Sequence, residues 1–178
     1  MTGRLVIVQL DVGSEAKVPP GTVILGLPLV RRMVLAAQRA GADRVLVLAP
    51  DAGETRRLLE GTSAMVTAVH EPLPQLLPGR IVLLAGTMLF HAKWLRALFE
   101  VPVERERLYA EASLVGVMES DDPRGVLSGE AHGLATQDVF AVAAKARTVV
   151  PRMFSQEGRF VLAGSSDFRQ AEEWLLRG

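Results

Sequence analysis

Residues 28–49 constrain this chain more than any other stretch, because they spell a helix that passes through one tight turn straight into a buried strand. Pro28 is predicted at the first helical position, where its missing N–H would have no partner in any case. Leu29, Val30, Met33, Val34, Ala37 and Ala40 then recur on one helical face. Gly41 supplies the left-handed residue that ends the helix. Residues 45–49 follow with no polar alternation, as a strand covered on both faces does. A helix feeding such a strand is half of a layered unit, so the expected fold class is α/β: three layers, α/β/α, around a mostly parallel, mixed sheet.

The 178 residues suit one domain over 1–178, long enough to bury a real core. Twenty basic residues balance 20 acidic ones, which removes the long-range field that nucleic acids or acidic membranes would exploit; no nucleic-acid partner is expected. The absence of cysteine excludes disulfides, thiolate metal sites and a cysteine nucleophile, and fits a reducing compartment. The longest apolar runs, 22–30 and 81–90, fall short of the ~18 residues a membrane span needs, so no span is expected. The apolar run after Arg4 is too brief for a signal-peptide core, and a cytoplasmic location is the expectation.

Residues 4–10 read as a central strand. Residues 11–25 then form a loop of about fifteen residues, against the usual ~2–6 between a strand and a helix. Asp51 and Glu54 have the spacing of a capping box, opening a helix that runs through Leu59 and stops at Gly61. Residues 64–69 and 80–85 are predicted strands, and a helix covers about 91–99. Residues 108–118 hold one strand, open to an antiparallel placement, and 121–125 are a turn by composition. A helix over 139–146, a strand over 159–163 and a final helix capped by Ser165 or Ser166 complete the chain, the last with Phe168, Ala171, Trp174 and Leu175 as its core stripe.

Several residues are candidates for chemistry, each with a plainer alternative. Gly13, Ser14 and Lys17 could cradle a phosphate or belong to an ordinary loop. Asp11, just past the first strand, could hold a metal or cap a turn. Gly86 and Thr87 follow a central strand at the end where open α/β sheets bind ligands, so a nucleotide ribose or a water could sit there. His70, His91 and His132 show no metal-ligand spacing, and His91 is nearest in sequence to Thr87. Asp121 and Asp122 are either a displaced metal pair or a solvated turn; Arg31 and Arg32 either face the first loop or are solvated on their helix. No Gly-x-Gly-x-x-Gly follows the first strand, which counts against a dinucleotide-binding oxidoreductase.

Gly26-Leu27-Pro28-Leu29 with Arg39-Ala40-Gly41-Ala42, the strand ending Leu84-Ala85-Gly86-Thr87, and the closing 163–172 segment together resemble the nucleotidyltransferase superfamily with the glycosyltransferase-A-like fold. Gly-Leu-Pro-Leu-Val-Arg-Arg and Asp-Phe-Arg-Gln-Ala-Glu-Glu-Trp are most similar to the cytidylyltransferase-like domain fused, in some proteins, to a membrane CDP-alcohol phosphatidyltransferase. That resemblance implies transfer of CMP from CTP to a phosphorylated polyol with Mg2+, a role in phospholipid synthesis, and room for a tether to a membrane domain and for a homodimer. The end straight after the final helix suits a domain joined to a membrane part, although a natural terminus looks the same.

The resemblance assigns Asp11 and Lys17 to catalysis, and Gly13, Ser14, Gly86 and Thr87 to nucleotide binding. It also exposes departures. The family loop has a Gly-x-Gly-x-Arg core, whereas this loop offers Gly13, Ser14 and Lys17. The two metal-binding carboxylates of the family fall here on Thr87 and about Ala163, neither of which carries the charge Mg2+ needs. The second expectation is therefore a catalytically inactive domain of this fold that docks, dimerises or regulates for a membrane phosphatidyltransferase.

Overall fold

The computed structural model describes residues 3–10, 18–129 and 133–177. In chain order these form β1 (Gly3–Gln9), β2 (Val23–Ile24), β3 (Leu27–Pro28), α1 (Leu29–Arg39), β4 (Arg44–Ala49), α2 (Ala52–Leu58), β5 (Met65–Ala68), β6 (Gly79–Ala85), β7 (Met88–Phe90) and α3 (Ala92–Glu100). The second half adds β8 (Arg107–Glu111), β9 (Val115–Ser120), α4 (Pro123–Ser128), α5 (Val139–Ala146), β10 (Thr148–Pro151), β11 (Arg159–Val161), a 3-10 turn (Ser165–Asp167) and α6 (Phe168–Arg177).

A seven-stranded sheet runs β10-β8-β9-β6-β1-β4-β5. Strands β4, β1 and β6 lie parallel in the middle, with Val6 facing Val45 on one side and Val82 on the other. β9 is antiparallel to both β6 and β8, which returns β8 and its parallel neighbour β10 to the direction of β6. The expected mixed, mostly parallel sheet is therefore present, and so is the layering. Strand alternation divides the core in two. Val6, Val8, Val47 and Val82 pack under α1, α3 and α6, while Leu5, Ile7, Leu46 and Ile81 pack under α4 and α5. No helix among the described residues is long and apolar enough to cross a membrane.

The opening helix-to-strand block holds with one shift. All six apolar positions of its predicted face are buried, and Gly41 has φ +97°. Pro28, however, precedes the first helical residue, with φ −57° and ψ 141°, because it closes the β2–β3 hairpin and pairs with Val23. That hairpin occupies the end of what the sequence presents as one long loop. The Asp51 cap is as expected: its carboxylate accepts from the Glu54 N–H at 3.0 Å.

Other expectations need correction. Residues 108–118 hold parts of two strands, β8 and β9, turned on Ala112 with φ +46°, because a three-residue reversal needs only one such residue and no glycine marks it. Residues 88–90, joined to the end of β6 in the sequence reading, are the separate strand β7. It pairs antiparallel with β11, so the last strand stands outside the main sheet. Residues 121–125 are no simple turn: Asp122 caps α4 by accepting from the Gly125 N–H at 3.1 Å, and Pro123 takes the first helical position. The final helix is entered through the 3-10 turn, where the Asp167 carboxylate accepts from the Ala163 N–H at 2.7 Å.

Candidate functional site

Parallel strands β1, β4, β6 and β8 all end at one edge of the sheet, and their ends are drawn together there by backbone hydrogen bonds. The Leu10 N–H donates to Leu48 O at 2.9 Å, Gly86 N–H to Gln9 O at 2.9 Å and Ala85 N–H to Leu114 O at 3.0 Å. At Gly86 the chain leaving β6 crosses over the end of β1 so closely that an added Cβ would lie 2.7 Å from Leu10 Cδ2 and 3.0 Å from Gln9 O. A side chain there would have to move Leu10 and press on the Gln9 carbonyl, so the crossing favours glycine.

Beyond it, the Thr87 carbonyl accepts from the Leu162 N–H at 2.8 Å, and Ala163 follows directly. The structure thus brings near each other Thr87 and Ala163, the two positions onto which the sequence resemblance maps the family's carboxylates, and they carry a hydroxyl and a methyl. Asp167 is the acid beside them, and it spends one oxygen on the Ala163 N–H. Among the described residues no group of three or more histidines or acids is placed to hold a metal, and Thr87 and Ala163 themselves offer no carboxylate to one.

A cleft of about 330 Å3 opens against the same strand ends, lined by Gln9, Leu10, Ser113, Gln137, Asp138 and Phe140. Gln9 is committed on both sides: its Oε1 accepts from the Val139 N–H at 3.1 Å and its Nε2 donates to Leu10 O at 3.2 Å. It fastens the start of α5 to the end of β1. Asp138 caps α5, accepting from the Ala141 N–H at 3.1 Å. These neutral and acidic groups suit hydroxyls better than phosphates. None of Gln9, Ser113, Gln137 and Asp138 was singled out in the sequence, although Gln9 is the one uncharged polar residue in the 4–10 run and Asp138 precedes Ala141 at cap spacing.

Of the other candidates, Asp11, Gly13, Ser14, Lys17 and His132 lie outside the described residues. Gly86 and Thr87 lie at the converging strand ends. Asp121 and Asp122 sit at the opposite edge, since β9 delivers its end beside Gly79. Asp121 pairs with Arg105 at 2.8 Å, and neither acid approaches Thr87. His70 is exposed, its backbone N–H bonded to Ala135 O. The His91 ring stacks on Trp174, with centroids 4.2 Å apart. Arg31 is not simply solvated but donates to Leu58 O and Glu60 O at the end of α2. Arg32 donates to Ile24 O at 2.6 Å and Leu25 O at 2.7 Å, holding the β2–β3 turn. Burial lowers the Arg32 guanidinium from its ordinary value, against the opposing pull of the Glu172 carboxylate. Glu172 also accepts from the Leu25 N–H at 3.3 Å, so one turn is held from both α1 and α6.

The sheet order, the mixed strand directions and the convergence at Gly86 define a nucleotidyltransferase-like fold. Solved structures agree. The chain is similar to Mth528, a nucleotidyl transferase from Methanothermobacter, with TM-score 0.62 and 15% identity over 98% of each chain. It is also similar to Rv0371c from Mycobacterium tuberculosis, with TM-score 0.61 and 18% identity over 97% of this chain and 99% of that one. An Rv0371c homologue from Mycobacterium sp. strain JC1 gives TM-score 0.60 and 15% identity over 99% of both. No protein-family model and no curated protein matches the sequence. At these identities the likeness is one of fold.

Proposed function

We propose that this chain is a nucleotidyltransferase-like domain that holds a nucleoside triphosphate at the carboxyl edge of its sheet, and most concretely transfers CMP from CTP to a phosphorylated polyol. The product would be a CDP-alcohol for phospholipid synthesis. The observation that carries this reading is Gly86: the chain crosses the end of β1 so closely that a Cβ would lie 2.7 Å from Leu10 Cδ2 and 3.0 Å from Gln9 O, at the place where such sheets receive ligands. Lys17 and the backbone around Gly13 and Ser14 would meet the phosphates, with Asp11 at the head of the same loop. The neutral cleft beside Gln9 and Asp138 suits the hydroxyls of a ribose or a polyol. Mg2+ enters this reading with the phosphates, not with Thr87 or Ala163.

A specific observation favours a second reading. Thr87 and Ala163, onto which the sequence resemblance maps the family's carboxylates, stand near each other, and joining two anions without that charge loses most of the electrostatic stabilisation of transfer. A domain of this kind would dock, dimerise or regulate beside a membrane phosphatidyltransferase. Titration calorimetry with CTP, ATP, GTP and UTP, each with and without Mg2+, separates the two. Saturable binding of one nucleotide, weakened by Lys17→Ala and by Gly86→Val, sustains the transferase reading. No binding at millimolar nucleotide leaves the docking reading.

A further inference from the structure

A groove of about 600 Å3 lies between the start of α3, the 155–158 loop and α6. The chain has two tryptophans, Trp94 and Trp174, and both line it. Its walls are fixed by backbone geometry. The His91 N–H donates to Gly158 O at 2.9 Å, and the Trp94 indole N–H donates to Ser155 O at 2.8 Å. Gly158 has φ +92°, and a Cβ there would lie 3.0 Å from Trp94 Cβ, so the loop presses on the indole as only glycine allows. The volume is that of a small-molecule site.

The chemistry of the lining points to one kind of occupant. The His91 ring stacks on Trp174 with an interplanar angle of 14°, and Phe160 leans on the same indole at 6.0 Å. Trp174 is half-buried, so its indole face is only partly covered. Lys93 and Arg177, both exposed, stand at the mouth against a single acid, Glu157. Arg159 lies 5.9 Å from the centroid of the Trp94 ring, its side chain 5% exposed, and its Nη1 has no hydrogen-bond partner. A stack of flat rings with an excess of positive charge at its rim would repel a quaternary ammonium and attract a flat anion.

We propose that this groove binds a planar heteroaromatic compound bearing an anionic group, its ring lying against the His91–Trp174 stack and its phosphate or carboxylate between Lys93 and Arg177. Among the described residues, none lines both this groove and the cleft beside Gln9.

Tryptophan emission reads this groove directly, since both indoles line it. Titration of the intact chain with CMP and with AMP should give saturable quenching, and the uncharged nucleosides cytidine and adenosine should bind about tenfold more weakly or not at all. Joint Lys93→Ala and Arg177→Ala substitution, at two exposed positions, should weaken the quenching by CMP and AMP by about tenfold or more. The indole N–H resonance of Trp174 should move in the same titration. Absence of saturable quenching overturns the proposal, as does equal binding of the uncharged nucleosides. So does a response that survives the double substitution but disappears with Lys17→Ala, which would place the nucleotide at the carboxyl edge instead.

Discussion

The two edges of the central sheet carry charge in opposite ways. At the amino edge, where β4, β6, β8 and β10 begin, five arginine–carboxylate pairs are gathered: Arg4–Glu100, Arg80–Glu119, Arg105–Asp121, Arg107–Glu104 and Arg147–Glu106. At the carboxyl edge the described acids Asp51, Asp138 and Asp167 each accept from a backbone N–H, and two acids are paired with arginines: the half-exposed Glu71 with Arg56 at 3.6 Å, and the buried Glu111 with Arg159. The amino edge is dense in charge because loops must be tied where strands start, and most of those pairs are solvated and individually worth little. Among the described residues the carboxyl edge holds the Gly86 crossing and the cleft beside Gln9. The lesson is that the described carboxylates at both edges serve structure, and that the crossing proposed to receive a ligand is marked by a glycine.

The sharpest way to break that contrast is at its buried exception. Glu111 and Arg159 are paired at 2.6 Å with side chains 8% and 5% exposed, and Glu111 also accepts from the buried Phe154 N–H at 2.9 Å. Together they fasten β11, and through it β7, to the end of β8. Removing one partner leaves an uncompensated buried charge. Arg159→Ala should therefore cost about 3–5 kcal/mol in urea-induced unfolding, the largest loss expected for any ion pair in the molecule. Replacing both by apolar residues, Glu111→Leu with Arg159→Met, should recover much of that loss. If the single substitution costs no more than a surface pair does, the two edges do not differ as described.

Gly86→Val tests the carboxyl edge itself. The added side chain must displace Leu10 or part the ends of β1 and β6, an overpacking cost of about 1–3 kcal/mol. On the transferase reading, nucleotide binding should fall much further than stability does. A loss confined to stability would show that the crossing serves packing alone.

The layering was legible because it rests on local pattern. Leu29, Val30, Met33, Val34, Ala37 and Ala40 repeat at helical spacing, and β4 is an unbroken apolar run, buried on one face among Val6 and Val82 and on the other among Ile7 and Ile81. The β7–β11 pairing was not legible. Residues 88–90 continue the apolar run of β6, and nothing local says that their partner lies about seventy residues away, as the Phe90–Arg159 register requires. Gly86 and Thr87 could be placed at the converging strand ends because a strand end is a position a pattern can give. Gln9 was missed because its role depends on an α5 N–H that lies 130 residues on. Asp121 and Asp122 looked alike in sequence to a metal pair and to a turn; only the direction of β9 decides that they belong to the amino edge.

Two substitutions at that amino edge sharpen the contrast with smaller effects. Asp122→Ala removes the cap of α4 and should cost about 1 kcal/mol in thermal or urea unfolding, with nucleotide titrations unchanged.

Glu106 gives the smallest and most specific effect, a dependence on pH. Burial alone would raise its carboxyl above the ordinary value of 4.5. Hydrogen bonds from the Asp121 N–H, Arg147 and Ser120, with the Arg147 charge, outweigh that and hold it below. A carboxyl depressed in the folded state stabilises the fold above its unfolded pKa, and that contribution is lost as pH falls through the lower, folded value. Unfolding measured from about pH 6 down to about pH 3 should therefore show a decline in the native chain that Glu106→Gln reduces. Because the Glu106 side chain is 35% exposed and solvent screens it, the difference between the two curves should stay under about 1 kcal/mol. A larger difference would make this pair a buried one in its energetics, and the amino edge would then resemble Glu111 and Arg159 rather than contrast with them.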